Sequence, residues 1–236
     1  MSIAERQDEV IVAADHPEKY GVSFFANILE AEDDPLCKWH AVKAIGDLKG
    51  YEAQRQLLQV LQDPDHEFDE SSLHRICAWA IGRVGSALSA DVIKLLRSPV
   101  SQQTRIALID ALGEIADPVA IPVLSEQLAS GIRSVRLWAA LSLAKIGEPS
   151  LPVLKSALKD ADAELVLIIA DALSIIATEK TVPVLLDALD KDPQAVAEYF
   201  AKGPPGRTRT YIALLRQWRV SRDSVALRDL LDRCRP

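Results

Sequence analysis

The sequence predicts an all-α protein in which helix pairs stack as a right-handed α-α superhelix, or solenoid. One pattern occurs three times: the end of an apolar helical run, a tight turn, and a new helix opening with Pro-Val-Leu. The copies are ALGEIADPVAIPVL (111–124), SLAKIGEPSLPVL (142–154) and ALSIIATEKTVPVL (172–185). Their prolines, Pro122, Pro152 and Pro183, recur about every 30 residues, and two helical patterns per period are typical of helical-repeat solenoids.

The composition fits such an array and argues against nucleic-acid binding. The chain has 236 residues, of which 49% are hydrophobic and only 5% aromatic. The core must therefore be built mainly from Leu, Ile, Val and Ala. With 34 acidic and 27 basic residues the formal net charge is −7, which opposes non-specific attraction to a phosphate backbone. We expect one continuous solenoid of about six or seven helix pairs, with no nucleic-acid partner.

The cysteines and the N-terminus indicate a cytoplasmic protein. Cys37, Cys77 and Cys234 are odd in number and widely spaced, so neither a disulfide framework nor a structural zinc site is expected. Glu5, Arg6, Asp8 and Glu9 lie where a secretory signal would need an apolar run. No stretch reaches the roughly 18 apolar residues of a membrane span. We therefore expect a reducing, cytoplasmic environment and no membrane partner.

Residues 1–33 are predicted to form an N-terminal capping helix pair. Ser2 can cap a first helix that runs to about Ala14. Pro17 can stand in the first turn of a second helix that runs to about Ala31. Regular repeats are predicted over 34–190.

Within the regular repeats, a column of small residues marks where neighbouring helices should approach closely. Its members are Gly46, Gly82, Gly113, Ala144 and Ser174. The residues directly before them are apolar and predicted to be core: Ile45, Ile81, Leu112, Leu143 and Leu173. The step between the first two glycines is longer than the others, and the acidic loop 63–70 accounts for the extra length.

Residues 191–236 are predicted to contain an irregular insertion and a C-terminal capping pair. The insertion is interpreted as a short helix over 194–201 and a broken turn at 203–206. The capping helices are predicted at about 208–220 and 224–233.

A second column contains candidate binding residues eight positions before the small ones. It consists of Lys38, His74, Arg105 and Arg136, with Arg75 beside it, and ends at Val166. One interpretation is a basic stripe that binds an acidic partner or a carboxylate- or phosphate-bearing ligand. The other is that these side chains pair with acidic groups of the next repeat and hold the stack in register. The two are compatible.

Tryptophan is frequent for a chain this poor in aromatics. Trp39, Trp79 and Trp138 lie on predicted repeat helices, and Trp218 lies near the C-terminus. Tryptophan beside arginine is typical of interface anchors, although filling gaps between helices is the commoner role. Trp39, Trp79 and Trp138 are therefore candidate partner or ligand contacts.

No catalytic or metal-binding constellation is predicted. His66, Glu67, Asp69 and Glu70 lie in one acidic loop, which is a poor support for a metal site. The segment 203–209 could contact an anion through Arg207 and Arg209, but it lacks the Gly-Lys-Ser/Thr ending of a phosphate loop. Cys77 has apolar neighbours and is expected in the core. We expect no metal, and no cofactor.

The repeats resemble the short HEAT-like repeats, of roughly 30 residues, found in the phycobilisome lyase family. The resemblance rests on Val135-Arg136, the Ala139-Ala140 pair, the Gly113 column and the Pro-Val-Leu helix starts. It covers most of 35–190 and implies the solenoid fold. It also implies, as an alternative function, a bilin lyase or chromophore-handling protein of the E/F type, which handles an open-chain tetrapyrrole. Arg75, Arg105 and Arg136 would then pair with its propionates.

The leading expectation is a non-enzymatic scaffold or assembly factor that holds a partner protein in the concave groove of the solenoid. The alternative is the bilin lyase, the one enzymatic activity the resemblance suggests, with bilin as its substrate. The identity of the partner and the oligomeric state stay open, and a heterodimer is one possibility.

Overall fold

The computed structural model describes residues 2–62 and 73–202, and every regular element within these ranges is helical. Contacts divide the chain into two compact units, Met1–Ala120 and Ile121–Pro236. This confirms the predicted all-α fold of paired helices. The acidic loop at 63–70, the turn at 203–206 and the C-terminal capping pair lie outside the described residues.

The described part of the first unit consists of paired α-helices. They are α1 (Ile3–Asp15), α2 (Val22–Ala31), α3 (Pro35–Leu48), α4 (Gly50–Gln62), α5 (Leu73–Val84), α6 (Ser89–Leu96) and α7 (Gln102–Ile115). Helices α3, α5 and α7 pack side by side as the first helices of successive repeats, and α4 and α6 pack on α5 and α7. Single turns of 3-10 helix precede α6 and end the unit at Pro118–Ala120.

The N-terminal pair begins as predicted but differs at its second helix. Ser2 forms a capping box with Glu5, in which each side chain accepts a hydrogen bond from the other residue's backbone N–H. Pro17 does not open α2. It begins a separate 3-10 turn, and α2 begins only at Val22. Gly21 lies between them at φ 79°, a left-handed conformation that interrupts a continuous helix.

The small-residue column produces the expected close contacts in the first unit. A Cβ atom built on Gly46 would lie 2.7 Å from the Cβ of Ala80, so α3 and α5 nearly touch there. A Cβ on Gly82 would lie 2.7 Å from the Cβ and 2.8 Å from the carbonyl oxygen of Glu114, on α7. The apolar column beside it is core, since Ile45, Ile81, Leu112, Leu143 and Leu173 are all fully buried.

A further column, three residues after the small one, ends the first helix of each repeat in a positive-φ conformation. Its members are Lys49 (φ 57°), Gly85 (φ 86°), Ala116 (φ 56°), Gly147 (φ 87°) and Ala177 (φ 47°). Such a residue stops the helix and turns the chain into the second helix of the pair. Only two of the five positions carry glycine, the residue that adopts positive φ without strain.

The described part of the second unit continues the same alternation. Its helices are α8 (Ile121–Leu128), α9 (Arg133–Ile146), α10 (Leu151–Ala157), α11 (Ala163–Ile176), α12 (Thr181–Lys191) and α13 (Pro193–Lys202). Pro122, Pro152 and Pro183 lie in the first turns of α8, α10 and α12, as predicted, because an N-terminal turn does not need the missing proline N–H. The short helix predicted over 194–201 is α13, which packs on α11 and α12.

Candidate functional site

Arg136 connects neighbouring repeats of the second unit through ion pairs. It lies on α9 with 13% of its side chain exposed, and it pairs with Asp162 at 2.8 Å and with Glu164. Asp162 is also the N-cap of α11 and accepts the Leu165 N–H at 2.7 Å. That hydrogen bond first, and Arg136 second, hold the pKa of Asp162 below its ordinary value. The structural interpretation of the basic column therefore describes Arg136.

His74 and Arg105 do not extend an exposed basic stripe. His74 lies on α5 with 0% exposure, so it is not available at the surface to a partner or ligand. Arg105 is half-buried on α7, and its guanidinium donates a weak hydrogen bond of 3.4 Å to the Leu96 carbonyl at the end of α6. The predicted column is therefore a set of residues with different environments.

Three further members of the predicted set, on α3 and α5, are half-buried or exposed. Trp39 is partly exposed and contacts the ring of His40 edge-on at 4.9 Å. Lys38 is half-buried, and Arg75 is exposed. These three residues stay a candidate surface for a partner.

The other two tryptophans on described helices are half-buried. Trp79 lies under the guanidinium of Arg83, 5.0 Å from its ring centroid, and Arg83 also pairs with Asp47 on α3 at 2.7 Å. Trp79 thus supports a contact between neighbouring repeats. Trp138 lies on α9. Arg207, Arg209 and Trp218 lie outside the described residues.

Both cysteines on described helices are buried. Cys77 is part of the core as predicted, and its thiol donates to the Leu57 carbonyl at 3.1 Å. Burial raises the pKa of Cys37 to about 11, and the neighbouring Asp34 adds to the shift. Burial also raises the pKa of Cys77. Both thiols are therefore protonated at neutral pH and poor nucleophiles.

Sequence reasoning missed two clefts on either side of α6. One has a volume of about 480 Å³ between α4 and α6, with Tyr51, Arg55, Leu58 and Asp91 among its lining residues. The other, about 560 Å³, lies between α6 and the turn at 117–119. Both volumes fall in the range of ligand-sized pockets. No sequence pattern marked them, because each is formed by segments from successive repeats.

Neither a metal site nor a single membrane-spanning helix is found in the described ranges. Within 2–62 and 73–202, no three His, Cys, Asp or Glu side chains are grouped to hold a metal ion. No single described helix is long and apolar enough to cross a membrane. Leu73–Val84 and Ser86–Leu96 pass that test only together, by length and composition, and the chain bends by 109° between them.

A sequence profile of HEAT repeats matches residues 69–144, 89–170 and 133–200, which together cover more than half of the chain. The chain belongs to the HEAT-repeat family. This confirms the HEAT-like part of the predicted resemblance. A search of curated protein sequences found no match.

Several solved structures are similar to this chain. The complex of CpcE and CpcF of phycocyanin lyase from Nostoc sp. PCC7120 has 20% identity and a TM-score of 0.47, covering 99% of this chain and 90% of that chain. Escherichia coli YibA has 14% identity and a TM-score of 0.46, covering 92% and 83%. Human deoxyhypusine hydroxylase has 16% identity and a TM-score of 0.40, covering 94% and 98%. At these values the likenesses carry no conclusion about function.

Proposed function

We propose that this HEAT-repeat protein is a non-enzymatic scaffold that binds a partner protein through the surface around α6. The observation that carries the proposal is the pair of clefts flanking this helix. Ligand-sized clefts bordered by exposed aromatic and aliphatic side chains are typical of surfaces that bind other molecules. Tyr51 at one cleft and Val119 at the other are both largely exposed.

The alternative function suggested by the sequence, bilin handling, needs arginines that are available to the propionates. Arg136 is already engaged by Asp162 and Glu164, and Arg105 donates to a backbone carbonyl. These contacts favour the scaffold. Adding phycocyanobilin to the purified protein tests the alternative: a red-shifted fluorescent adduct that is lost in Arg105→Ala/Arg136→Ala would replace the scaffold proposal with the bilin one.

Site-specific photo-crosslinking tests the scaffold proposal. Val119, at the cleft, is replaced by p-benzoylphenylalanine, and the protein is irradiated in extract of its source cells. Val12 on α1 is the matched control, because the two valines are exposed to nearly the same extent, 57% and 60%. Leu36 on α3, exposed to 41%, reports on the surface that contains Trp39 and Lys38.

The proposal predicts a discrete crosslinked protein band from Val119 and none from Val12. A band from Leu36 alone would move the binding surface to α3 and α5, and would contradict the assignment to α6. Equal crosslinking from all three positions, or none from any, would contradict a scaffold with a defined binding surface.

A further inference from the structure

The cleft between α6 and the turn at 117–119 combines an apolar wall with positive charge. Ile93 on α6 and Val119 on the turn supply the apolar surface, while Lys94 and Arg97 stand at the same opening. A volume of about 560 Å³ is large enough for one or two apolar side chains and their backbone.

The charged groups of Lys94 and Arg97 are not used in ion pairs within the described part of the chain. Across residues 2–62 and 73–202, neither side chain forms an ion pair with an acidic group, and both are exposed. Their position at the C-terminal end of α6 gives a favourable interaction with the helix dipole. That interaction does not use the hydrogen-bond donors of Lys94 and Arg97.

Asp117, the one carboxylate among the described residues that line this cleft, is hydrogen-bonded to neighbouring groups. One of its oxygens accepts the Ser89 hydroxyl at 2.8 Å, and the other accepts the Val119 N–H at 3.0 Å. Asp117 therefore holds the turn against α6 instead of pairing with Lys94 or Arg97. The cleft is locally basic although the whole chain carries a net charge of −7.

We infer that this cleft binds an acidic segment of the partner that inserts an apolar side chain beside Ile93 and Val119. The inference rests on the proposed scaffold function and specifies the chemistry of its partner. The apolar side chain would supply burial, and carboxylates on either side of it would accept hydrogen bonds from Lys94 and Arg97. Because the chain as a whole repels an acidic peptide, the attraction has to be local.

Fluorescence anisotropy with two labelled heptapeptides tests the inference on the full-length protein. Both have Leu-Leu-Phe at the centre; one carries two glutamates on each side, and the other carries two lysines on each side. The acidic peptide is expected to bind wild type more tightly than the basic one. Lys94→Glu/Arg97→Glu is expected to weaken the acidic peptide by at least about tenfold and to strengthen the basic one, a gain that an unfolded variant would not show.

The matched control is Lys19→Glu/Lys159→Glu, which makes the same change in net charge at exposed lysines outside the cleft. It should keep the preference for the acidic peptide. If wild type does not bind the acidic peptide, or if both double variants lose it equally, the inference is overturned.

Failure of the inference is distinguishable from failure of the scaffold proposal. A crosslink from Val119 that survives Lys94→Glu/Arg97→Glu unchanged would overturn the acidic partner and leave the scaffold standing. Loss of that crosslink in the reversed variant, with retention in the lysine control, would support both.

Discussion

Basic side chains serve different purposes in the second unit and around α6 of the first. In the second unit Arg136, Lys155 and Lys180 each pair with a carboxylate about one repeat away in the sequence. Around α6, Lys94 and Arg97 face an open cleft with no acidic partner in the described chain. A basic residue on a repeat protein can therefore be assigned to stability or to binding only from the groups that surround it.

The first unit contains very close helix contacts as well as ion pairs such as Arg83–Asp47. Gly46 and Gly82 allow α3, α5 and α7 to approach within contact of one another's backbones. The second unit has Ala144 and Ser174 at the same column. The comparison therefore predicts that the first unit is the more sensitive to added volume at this column.

Gly82→Ala should destabilise the protein most strongly. The new methyl group would overlap the backbone of Glu114, so the helices must separate, and the free energy of unfolding should fall by about 3 kcal/mol despite the better helix propensity of alanine. Urea denaturation measures it. Gly131→Ala is the control, because nothing lies within 4 Å of its Cβ position, and it should leave stability unchanged or slightly raised. An equal loss in both variants would refute the close-packing explanation.

Removing the repeat-to-repeat ion pair comes next. Arg136→Met leaves Asp162 and Glu164 without their mostly buried partner and should lower the free energy of unfolding by about 1 to 2 kcal/mol. Arg133 pairs with the same Glu164 at 2.7 Å, but its side chain is 70% exposed. Arg133→Met should therefore change the free energy of unfolding by less than about 0.5 kcal/mol. Denaturation of the two variants side by side gives the comparison. A larger effect at Arg133 would show that burial of the guanidinium is not what matters.

The column of positive-φ residues offers a stabilising change. Lys49 of the first unit has φ 57° and ψ −169°, a backbone conformation that residues with a Cβ rarely adopt. The second unit has Gly147 at the same column. Lys49→Gly should raise the free energy of unfolding by about 1 kcal/mol, and Gly147→Ala should lower it. Thermal melting of both variants checks the sign, and a destabilised Lys49→Gly would contradict the assigned backbone conformation.

Asp162 should make a small contribution to the acid dependence of stability. Folding lowers the pKa of Asp162, so its contribution is present above the ordinary pKa of an aspartate, about 4, and is lost as pH falls through the lower folded-state value. Asp162→Asn keeps the N-cap but does not titrate. Between neutral pH and a pH below about 3, the urea midpoint should fall less in Asp162→Asn than in wild type. Parallel pH curves would exclude a role for Asp162 in acid unfolding.

The sequence predicted the fold because helical periodicity, proline-marked helix starts and a recurring small residue all point to one architecture. The close approaches at Gly46 and Gly82 follow directly from that column. The break before α2 was missed because Pro17 is equally compatible with a short 3-10 turn. The positive-φ column was missed because three of its five positions, Lys49, Ala116 and Ala177, are not glycine. Glycine, the usual residue at positive φ, occurs only at Gly85 and Gly147.

The candidate site was predictable only in part. For Arg136, pairing with the next repeat was one of two readings of the basic column, and the choice depended on where Asp162 and Glu164 lie. The burial of His74 could not be predicted from spacing, because the other members of its column, Lys38, Arg105 and Arg136, are only partly buried. The α6 clefts could not be predicted, because they depend on contacts between α6 and segments of neighbouring repeats.

The division of roles between the two regions is tested by measuring stability and peptide binding on the same three proteins: wild type, Lys94→Met/Arg97→Met and Arg136→Met. We expect the double variant to lose the acidic heptapeptide while its free energy of unfolding falls by less than about 1 kcal/mol. We expect the opposite for Arg136→Met, with lower stability and unchanged peptide affinity. A double variant that still binds, or an Arg136→Met protein that loses the peptide while remaining fully stable, would contradict the division of roles between the two regions.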